Sequence, residues 1–400
     1  MSNQLNIQGV SVPQHPEISS VDELASTVRA FGESGTPIID YGRVHHGVGH
    51  RPPVKGIHIV PPTGIVDHYV ADMTIRVLAG TPVESIQTAL RSENQWLPID
   101  GADPSVTIGE LISHNVSGPL RLGFGSLRDL LLGLKYIDAA GREISVGGRT
   151  VKNVAGYDVT KLMVGSLGTL GLICEATLRT YAMPQHVSQI ECRGLSLNDM
   201  RVSTTRLLSS DAAPIYWYWQ VDRTGVSPVV SAHAGYAGSE LGCSTQIAAM
   251  TAWIESSFKE QPEIRVSTGP LEQDTTGRLE RRRWRDDVSG LVKVIVPPSL
   301  TATTMITFTE NVAASFTADV ESAHGVIWIG GDWTSSEAAE VDEKLNSIIE
   351  PLNGMRIWHG KPENSTSIAP FAPEQPDWPL FRRVKNAMDP NNLFNPGRYP

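Results

Sequence analysis

Four stretches in the first half of the chain concentrate glycine, serine, threonine and asparagine, and they constrain the fold more than any other feature. They span residues 40–49, 103–118, 147–156 and 165–171. These residue types let the backbone approach a ligand closely, and consecutive amides can cradle an anion such as a pyrophosphate without a cation. Each stretch alone is compatible with an ordinary turn. Together they predict a domain whose loops enclose one ligand.

The periodicity between these stretches predicts short strands and helices in an α+β order over the first 180 residues. Apolar and polar side chains alternate over residues 73–77, which indicates a half-buried strand. Further strands are expected at 36–39, 57–60, 130–137, 143–146 and 174–180. No βαβ unit opened by GxGxxG is present in the sequence, which disfavours a Rossmann fold.

Two helices of this half carry start signals. Ser20 is expected to cap the first, with Glu23 completing a capping box and Gly35 ending the helix. Thr81 is expected to cap the second, with Pro82 in its first turn.

A boundary is expected at residues 181–184, and beyond it strands and helices alternate around one open sheet. The strands are expected at 215–220, 229–234, 291–296, 326–329 and 355–358, and the helices at 246–258, 301–311 and 335–349. Residues 360–379 are proline-rich and predict an extended arm, followed by a helix at 380–388. The sequence shows no internal repeat. The predicted limits are 1–182 for the first domain, 183–374 for the second, and 375–400 for a segment that returns to the first.

Composition excludes several classes of partner. The net charge of −10 disfavours nucleic acid and anionic membranes. The three cysteines are widely spaced, so we expect buried free thiols in a reducing compartment rather than disulfides, a metal site or an iron–sulfur site. No signal peptide or membrane-spanning run is recognised, so a cytoplasmic protein is expected, with peripheral attachment to the inner face of a membrane through partners left open.

The motifs around the third and fourth stretches are more specific. Residues 152–158 read KNVAGYD and residues 165–171 read GSLGTLG. The sequence here resembles the FAD-binding domain of the vanillyl-alcohol oxidase / p-cresol methylhydroxylase (PCMH) type, and in particular the FAD-binding subunits of bacterial glycolate oxidases. The resemblance also rests on segments at 107–109, 115–118, 125–129, 389–390 and 394–398. It covers residues 20–182 and the extreme C-terminus well, and the middle only faintly.

The resemblance implies a two-subdomain PCMH-type FAD-binding domain followed by an α/β, ferredoxin-like cap domain. The implied cofactor is FAD, extended between the subdomains, with Asn395 and Arg398 bringing the tail back toward the flavin, the domain junction or a packing anchor. The residues implied to bind FAD are Gly42, Arg43, Val44, His45, His46, Asp103, Thr107, Ile108, Gly109, Asn115, Ser117, Gly118, Arg128, Gly165, Ser166, Gly168, Thr169, Gly171 and Ile173.

Two positions depart from the family pattern. The first loop places Asp40 where the family has arginine, and it loses two of three glycines. The second loop reads Gly109-Glu110 where the family has Gly-Gly. A carboxylate 4 Å from a phosphate charge would cost up to ~4 kcal/mol at an effective dielectric near 20, unless it points away in the first turn of a helix. Altered, weak or lost FAD binding therefore all remain open. His45 and His46 are candidates for covalent attachment, phosphate contacts or loop packing.

The resemblance implies an FAD-linked oxidoreductase acting on a CH–OH group of a 2-hydroxy acid such as glycolate, with a sister flavin subunit and an iron–sulfur subunit as partners. The candidates for clamping the substrate carboxylate are Arg128, Arg283 and Arg285, and no general base is identified. No metal site is predicted, and His359 is expected to be structural. The alternatives are a non-catalytic interaction subunit with weak or lost FAD binding, and a stand-alone reductase that uses a nicotinamide donor.

Overall fold

The computed structural model describes residues 4–7, 10–13, 17–39, 56–100, 103–148, 158–258, 261–270, 288–362, 365 and 367–398. Its contacts divide the chain into two compact units. The first comprises Met1–Ser117, Gly125–Met183 and Pro376–Pro400, and the second comprises Gly118–Phe124 and Pro184–Gln375.

The described strands are numbered in chain order. They are β1 (Gln4–Ile7), β2 (Val10–Pro13), β3 (Ile65–Tyr69), β4 (Thr74–Leu78), β5 (Gln95–Trp96), β6 (Leu131–Ile137), β7 (Glu143–Gly147), β8 (Leu172–Arg179), β9 (Tyr181–Ala182), β10 (His186–Leu195), β11 (Tyr216–Asp222), β12 (Val229–Gly238), β13 (Glu263–Pro270), β14 (Gly290–Ile295), β15 (Thr317–Glu321), β16 (Val326–Gly331), β17 (Met355–Gly360) and β18 (Phe371–Ala372).

The described α-helices are numbered in the same way. They are α1 (Val21–Ser34), α2 (Val83–Arg91), α3 (Ile108–His114), α4 (Arg121–Phe124), α5 (Leu127–Leu130), α6 (Val159–Met163), α7 (Leu197–Leu208), α8 (Glu240–Ser257), α9 (Thr301–Asn311), α10 (Ser335–Ile349) and α11 (Trp378–Met388).

The first unit contains an antiparallel sheet in which the described strands lie in the order β3-β4-β8-β6-β7. The predicted α+β character is confirmed, since helices and short strands mix in this unit. The side chains of Ile75 and Val77 are fully buried, as the alternation over 73–77 predicted. The prediction is wrong for Met73, which precedes β4 and is 38% exposed, and for Thr74, which is buried.

Two helix starts differ from the expectation. Ser20 does cap α1, but the Glu23 carboxylate accepts hydrogen bonds from the amide and hydroxyl of Ser19, at 2.9 and 2.8 Å, so no box with Ser20 forms. Helix α2 begins after Pro82 without a side-chain cap. The hydroxyl of Thr81, expected to be that cap, donates instead to the backbone carbonyls of Leu78 and Gly64.

The C-terminal segment lies in the core of the first unit. Phe394 forms a parallel bridge with Ile38, which in turn bridges Ile57 on its other side. Leu393 and Phe394 are buried in one apolar cluster with Leu24 and Val28 of α1. The two ends of the chain therefore build one core.

The second unit contains one antiparallel sheet, with the described strands in the order β13-β10-β12-β11-β15-β16-β14-β17-β18. The chain passes through β10, α7, β11, β12, α8 and β13, and then repeats the same βαββαβ path from β14 to β17. Each half has the strand order 4-1-3-2 of a ferredoxin-like unit, and the halves join through β11 and β15. The ferredoxin-like prediction is confirmed, whereas the expectation of no internal repeat is wrong at the level of topology.

One face of this sheet packs against its helices. The apolar cluster there includes Trp217, Trp219 and Val320 from the strands, Met305 from α9 and Leu345 from α10. Helices α9 and α10 have the predicted bounds. Among the residues that the structure describes, no helix has the length and apolar character needed to cross a membrane.

Candidate functional site

Helix α3 carries the second glycine-rich stretch, and all the donors at its start are engaged within the protein. The amide of Ile108 donates to the carbonyl of Thr81 at 3.0 Å, and the amide of Gly109 donates to the carbonyl of Ala79 at 2.9 Å. A Cβ atom at position 109 would lie 2.9 Å from the Cβ of Ala79, so this close approach requires glycine. The start of α3 therefore packs against the residues that follow β4, and its backbone amides are not free to bind an anion.

Glu110 closes this helix start through a capping box. Its carboxylate accepts hydrogen bonds from the Thr107 amide at 2.9 Å and hydroxyl at 3.1 Å, and the Glu110 amide donates to that hydroxyl at 3.3 Å. The carboxylate therefore points back along its own helix, and an acidic residue here also suits the positive end of the helix dipole. The second departure from the family pattern consequently has a structural role.

The fourth stretch is hydrogen-bonded to the last turn of α3. The amide of Gly165 donates to the carbonyl of Ile112 at 3.0 Å, and the amide of Leu167 donates to the carbonyl of Ser113 at 2.8 Å. Gly165 has φ of +80°, and a Cβ there would lie 3.4 Å from the Cβ of Asn115. The structure thus brings together two predicted site residues, Asn115 and Gly165, from separate stretches.

The hydroxyl of Ser166 is the group in this region that lacks a protein partner. The residue is 5% exposed, and its Oγ atom forms no hydrogen bond with any residue that the structure describes. The neighbouring Thr169 hydroxyl differs, because it donates to the Ser166 carbonyl at 2.6 Å. A buried unpaired hydroxyl is unfavourable unless a ligand or water satisfies it. Ser166 is therefore the described group most suited to contact a cofactor.

Side chains near the C-terminus donate hydrogen bonds to backbone carbonyls of the fourth stretch. The side-chain amide of Asn395 donates to the carbonyls of Leu167 and Gly168, at 3.0 and 3.1 Å. The ammonium of Lys385 donates to the carbonyl of Thr169 at 2.7 Å and also pairs with Asp389. Burial lowers the pKa of Lys385, and the contact with Asp389 opposes that shift. Lys385 is not among the site residues predicted from the sequence, although a cation four residues before Asp389 at the end of a helix is a recognisable signal.

His114, the last residue of α3, links that helix to the tail. Its Nε2 atom lies 3.1 Å from the Arg398 guanidinium, and its Nδ1 atom lies 3.0 Å from the carbonyl of Glu110. Because a guanidinium only donates, Nε2 must accept, which leaves the proton of a neutral ring on Nδ1. Arg398 is 4% exposed, so the predicted return of the tail ends in a buried contact with this helix.

The other predicted site residues take varied positions. Asp103 forms a turn in which its carboxylate accepts from the Ser105 amide at 2.8 Å. The Ser117 hydroxyl accepts from the Leu127 amide at 3.3 Å, and Gly118 is buried at the start of a segment that belongs to the second unit. Arg128 is exposed on α5.

Gly171 and Ile173 are buried at the start of β8, where a Cβ on Gly171 would lie 2.7 Å from the Tyr136 ring. Several predicted groups lie outside the described residues, so the structure places none of them. They are Asp40, Gly42, Arg43, Val44, His45, His46, Arg283 and Arg285.

Metal ligands and thiols show no reactive arrangement within the described ranges. No group of three His, Cys, Asp or Glu side chains there is placed to hold a metal ion. His359 lies in β17, with its ring 4.7 Å from that of Trp328. All three cysteines are free and buried, as predicted. Burial raises the pKa of the Cys174 and Cys192 thiols to about 12 in each case, which keeps both protonated at neutral pH.

Comparison with known proteins supports the architecture and the cofactor. Residues 17–161 match a family model described as an FAD binding domain. The structure of an alkyldihydroxyacetonephosphate synthase aligns with 96% of this chain and 76% of that chain, with a TM-score of 0.68 at 15% sequence identity. The matched region is an FAD-binding domain of the PCMH type, and the structural alignment supports the corresponding fold.

Two relatives indicate which kinds of flavoprotein the chain is similar to. Glycolate oxidase subunit GlcE of Escherichia coli (strain K12) is 38% identical over 124 residues, which cover 30% of this chain and 35% of that subunit. D-2-hydroxyglutarate dehydrogenase of Xanthomonas citri pv. viticola is 25% identical over 366 residues, covering 83% of this chain and 77% of that enzyme. The chain is similar to these FAD-linked relatives over the stated spans, and the matched FAD binding domain indicates FAD as its cofactor.

The described residues fit this cofactor. The Ser166 hydroxyl, which has no partner among the described residues, follows Gly165 in the chain, and the lack of a Cβ at Gly165 leaves space beside the exposed Asn115. The Glu110 carboxylate is directed to Thr107 by its capping box, which is the first-turn orientation expected to lower its cost for FAD binding.

Proposed function

We propose that the chain is an FAD-dependent oxidoreductase that acts on the CH–OH group of a small 2-hydroxy acid, as the FAD-binding subunit of a glycolate oxidase or dehydrogenase complex. The main support for the proposal is the buried hydroxyl of Ser166, which has no hydrogen-bond partner among the described residues. Ser166 lies in the fourth glycine-rich stretch, which is hydrogen-bonded to α3 and to the C-terminal segment. The relatives named for glycolate and D-2-hydroxyglutarate supply the substrate class.

In this proposal the chain positions the cofactor and the cofactor carries out the redox chemistry. When bound, FAD would supply the redox chemistry that takes a hydride from the substrate carbon. The Ser166 hydroxyl donates to or accepts from the cofactor, and Gly165 allows its close approach. The remaining proposed contacts are the other residues already named from the family resemblance, of which Asn115 is exposed and residues 42–46 lie outside the described residues.

We also propose the roles of the domains and partners. Residues 1–182 with 375–400 hold FAD, and residues 183–374 form the cap that selects the substrate. The word "subunit" in the name of the Escherichia coli relative supports a multi-subunit assembly. The proposed partners are a sister flavin subunit and an iron–sulfur subunit, in the cytoplasm or at the inner face of a membrane.

Anaerobic reduction tests the activity. The protein is reconstituted with FAD and mixed with glycolate, D-lactate, L-lactate or D-2-hydroxyglutarate in turn, while the visible flavin absorption is followed. We expect at least one 2-hydroxy acid to bleach the flavin, and acetate and propionate, which lack the hydroxyl group, to leave it unchanged. Reconstituted protein that stays oxidised with every 2-hydroxy acid, alone and with its sister subunit, would contradict the proposal. That result would favour a non-catalytic interaction subunit.

A further inference from the structure

We propose that the C-terminal segment, residues 389–398, is a clamp that sets the positions of the FAD-binding loops, with Asn395 as its main positioning residue. The inference rests on the proposed function, because it concerns the same cofactor site.

Asn395 and Arg398 of the clamp contact residues in or next to the glycine-rich stretches. The amide of Asn395 donates to the carbonyl of Ile38 at 2.9 Å, and Ile38 lies two residues before the first glycine-rich stretch, residues 40–49. Arg398 contacts His114, which lies in the second stretch, residues 103–118. The side chain of Asn395 contacts Leu167 and Gly168 in the fourth stretch. One short segment therefore contacts two of the four stretches predicted to enclose the ligand, and the backbone two residues before a third.

Buried hydrogen bonds and an ion pair fix the conformation of the clamp. The carboxylate of Asp389 accepts from the amides of Leu393 and Phe394, at 2.9 and 2.8 Å, and it is 1% exposed. Lys385 contacts this carboxylate, the Phe394 carbonyl at 2.8 Å and the Thr169 carbonyl at 2.7 Å. The buried ion pair therefore connects the turn of the clamp to the fourth stretch.

A further observation concerns the conformation of Asn395. Its φ of +42° lies in the left-handed region, which asparagine tolerates better than most residues. This backbone conformation accompanies a side chain that donates to two successive carbonyls. Those two hydrogen bonds fix the peptide groups directly after Ser166, so a change at Asn395 displaces the hydroxyl proposed to contact FAD.

Because binding free energies are reciprocal, FAD and the clamp must stabilise one another. If the clamp sets the loops for FAD, bound FAD must in turn hold the clamp closed. A residue that serves folding alone would lower the stability of the apoprotein and leave the affinity of the folded protein for FAD unchanged.

The test compares Asn395→Asp with Asn392→Asp. Asn392 lies in the same segment, also has a positive φ (52°), and is exposed, so it is a matched control. Aspartate at 395 keeps the shape and replaces the donor with a carboxylate that faces two carbonyls. The dissociation constant for FAD is measured by flavin fluorescence on apoprotein, well below its thermal midpoint. We expect an increase of about tenfold or more for Asn395→Asp and no change for Asn392→Asp.

Hydrogen exchange of the wild-type protein gives a second readout that needs no variant. We expect saturating FAD to slow exchange of the amides of residues 393–398. Equal FAD affinity of the two variants, or exchange at 393–398 that FAD leaves unchanged, would overturn the clamp while leaving the proposed function standing. Wild-type protein that binds no FAD at all would instead overturn the proposed function.

Discussion

The carboxylate of Glu110 lies 2.9 Å from the amide nitrogen of Thr107 and 3.1 Å from its hydroxyl oxygen. The family pattern has glycine at this position, and a free carboxylate there would repel a pyrophosphate. The capping box changes that expectation, since it uses the negative charge to stabilise the start of α3.

Substitutions at Glu110 distinguish capping of α3 from repulsion of the FAD pyrophosphate. Glu110→Gln keeps the acceptor for the box and removes the charge, so we expect FAD affinity to stay within about threefold of wild type. Glu110→Ala removes the cap and should lower the free energy of unfolding by about 1 kcal/mol. The measurements are FAD titration and urea unfolding. A tenfold or larger gain in FAD affinity for Glu110→Gln would show that the carboxylate does face the cofactor.

Ser166→Ala should act oppositely on the apoprotein and on the complex. Removing a buried unpaired hydroxyl should leave apoprotein stability unchanged or slightly raised, while FAD affinity falls about five- to tenfold, the equivalent of ~1 kcal/mol. The control is Ser113→Ala, because the Ser113 hydroxyl already donates to the Glu110 carbonyl at 3.1 Å. For the control we expect a loss of apoprotein stability and no loss of FAD affinity. The reverse pattern would rule out Ser166 as a cofactor contact.

Glu175 should be the most sensitive charge on the sheet of the first unit. Its side chain is 9% exposed and lies 3.7 Å from both Arg76 and Lys135. Glu175→Gln leaves these two cations without their shared partner and should lower the free energy of unfolding by about 1–3 kcal/mol. Glu143→Gln, which removes a more exposed partner of Lys135, should cost less. Equal losses in urea unfolding would contradict this ranking.

The buried thiols predict a loss of stability at alkaline pH. The pKa values of Cys174 and Cys192 are raised to about 12 in the folded protein. The unfolded chain therefore releases these protons first, and stability falls as pH rises from about 9 toward 12. Urea unfolding near neutral pH and near pH 10 should show the decrease, and Cys192→Ala should reduce it. The folded protein should also resist a thiol reagent at neutral pH, and rapid labelling of the native state would contradict the buried assignment.

Local sequence signals predicted the elements that depend on local chemistry. Helices α9 and α10 begin and end where expected, and α10 starts with a capping box between Thr334 and Glu337. Ser20 and Gly35 delimit α1 through the same kind of short-range contacts. These boundaries depend on backbone groups within a few residues, which the sequence displays directly.

Long-range contacts account for the errors. The Thr81 hydroxyl donates to Gly64, 17 residues away, instead of capping its own helix. The two βαββαβ halves share the same topology, but no repeated sequence motif indicates it. In the site, residues of the glycine-rich stretches were identifiable from their motifs, whereas the contact between Asn395 and Leu167 joins positions 228 residues apart.

Equilibrium titration of the apoprotein with FAD is the decisive measurement of whether the stretch around Ser166, hydrogen-bonded to α3 and the C-terminal segment, binds the cofactor. We expect saturable binding of one FAD per chain, a visible flavin spectrum, and weaker binding in Ser166→Ala than in Ser113→Ala. Folded apoprotein that gains no flavin spectrum in excess FAD, or that binds FAD equally well in both variants, would contradict it.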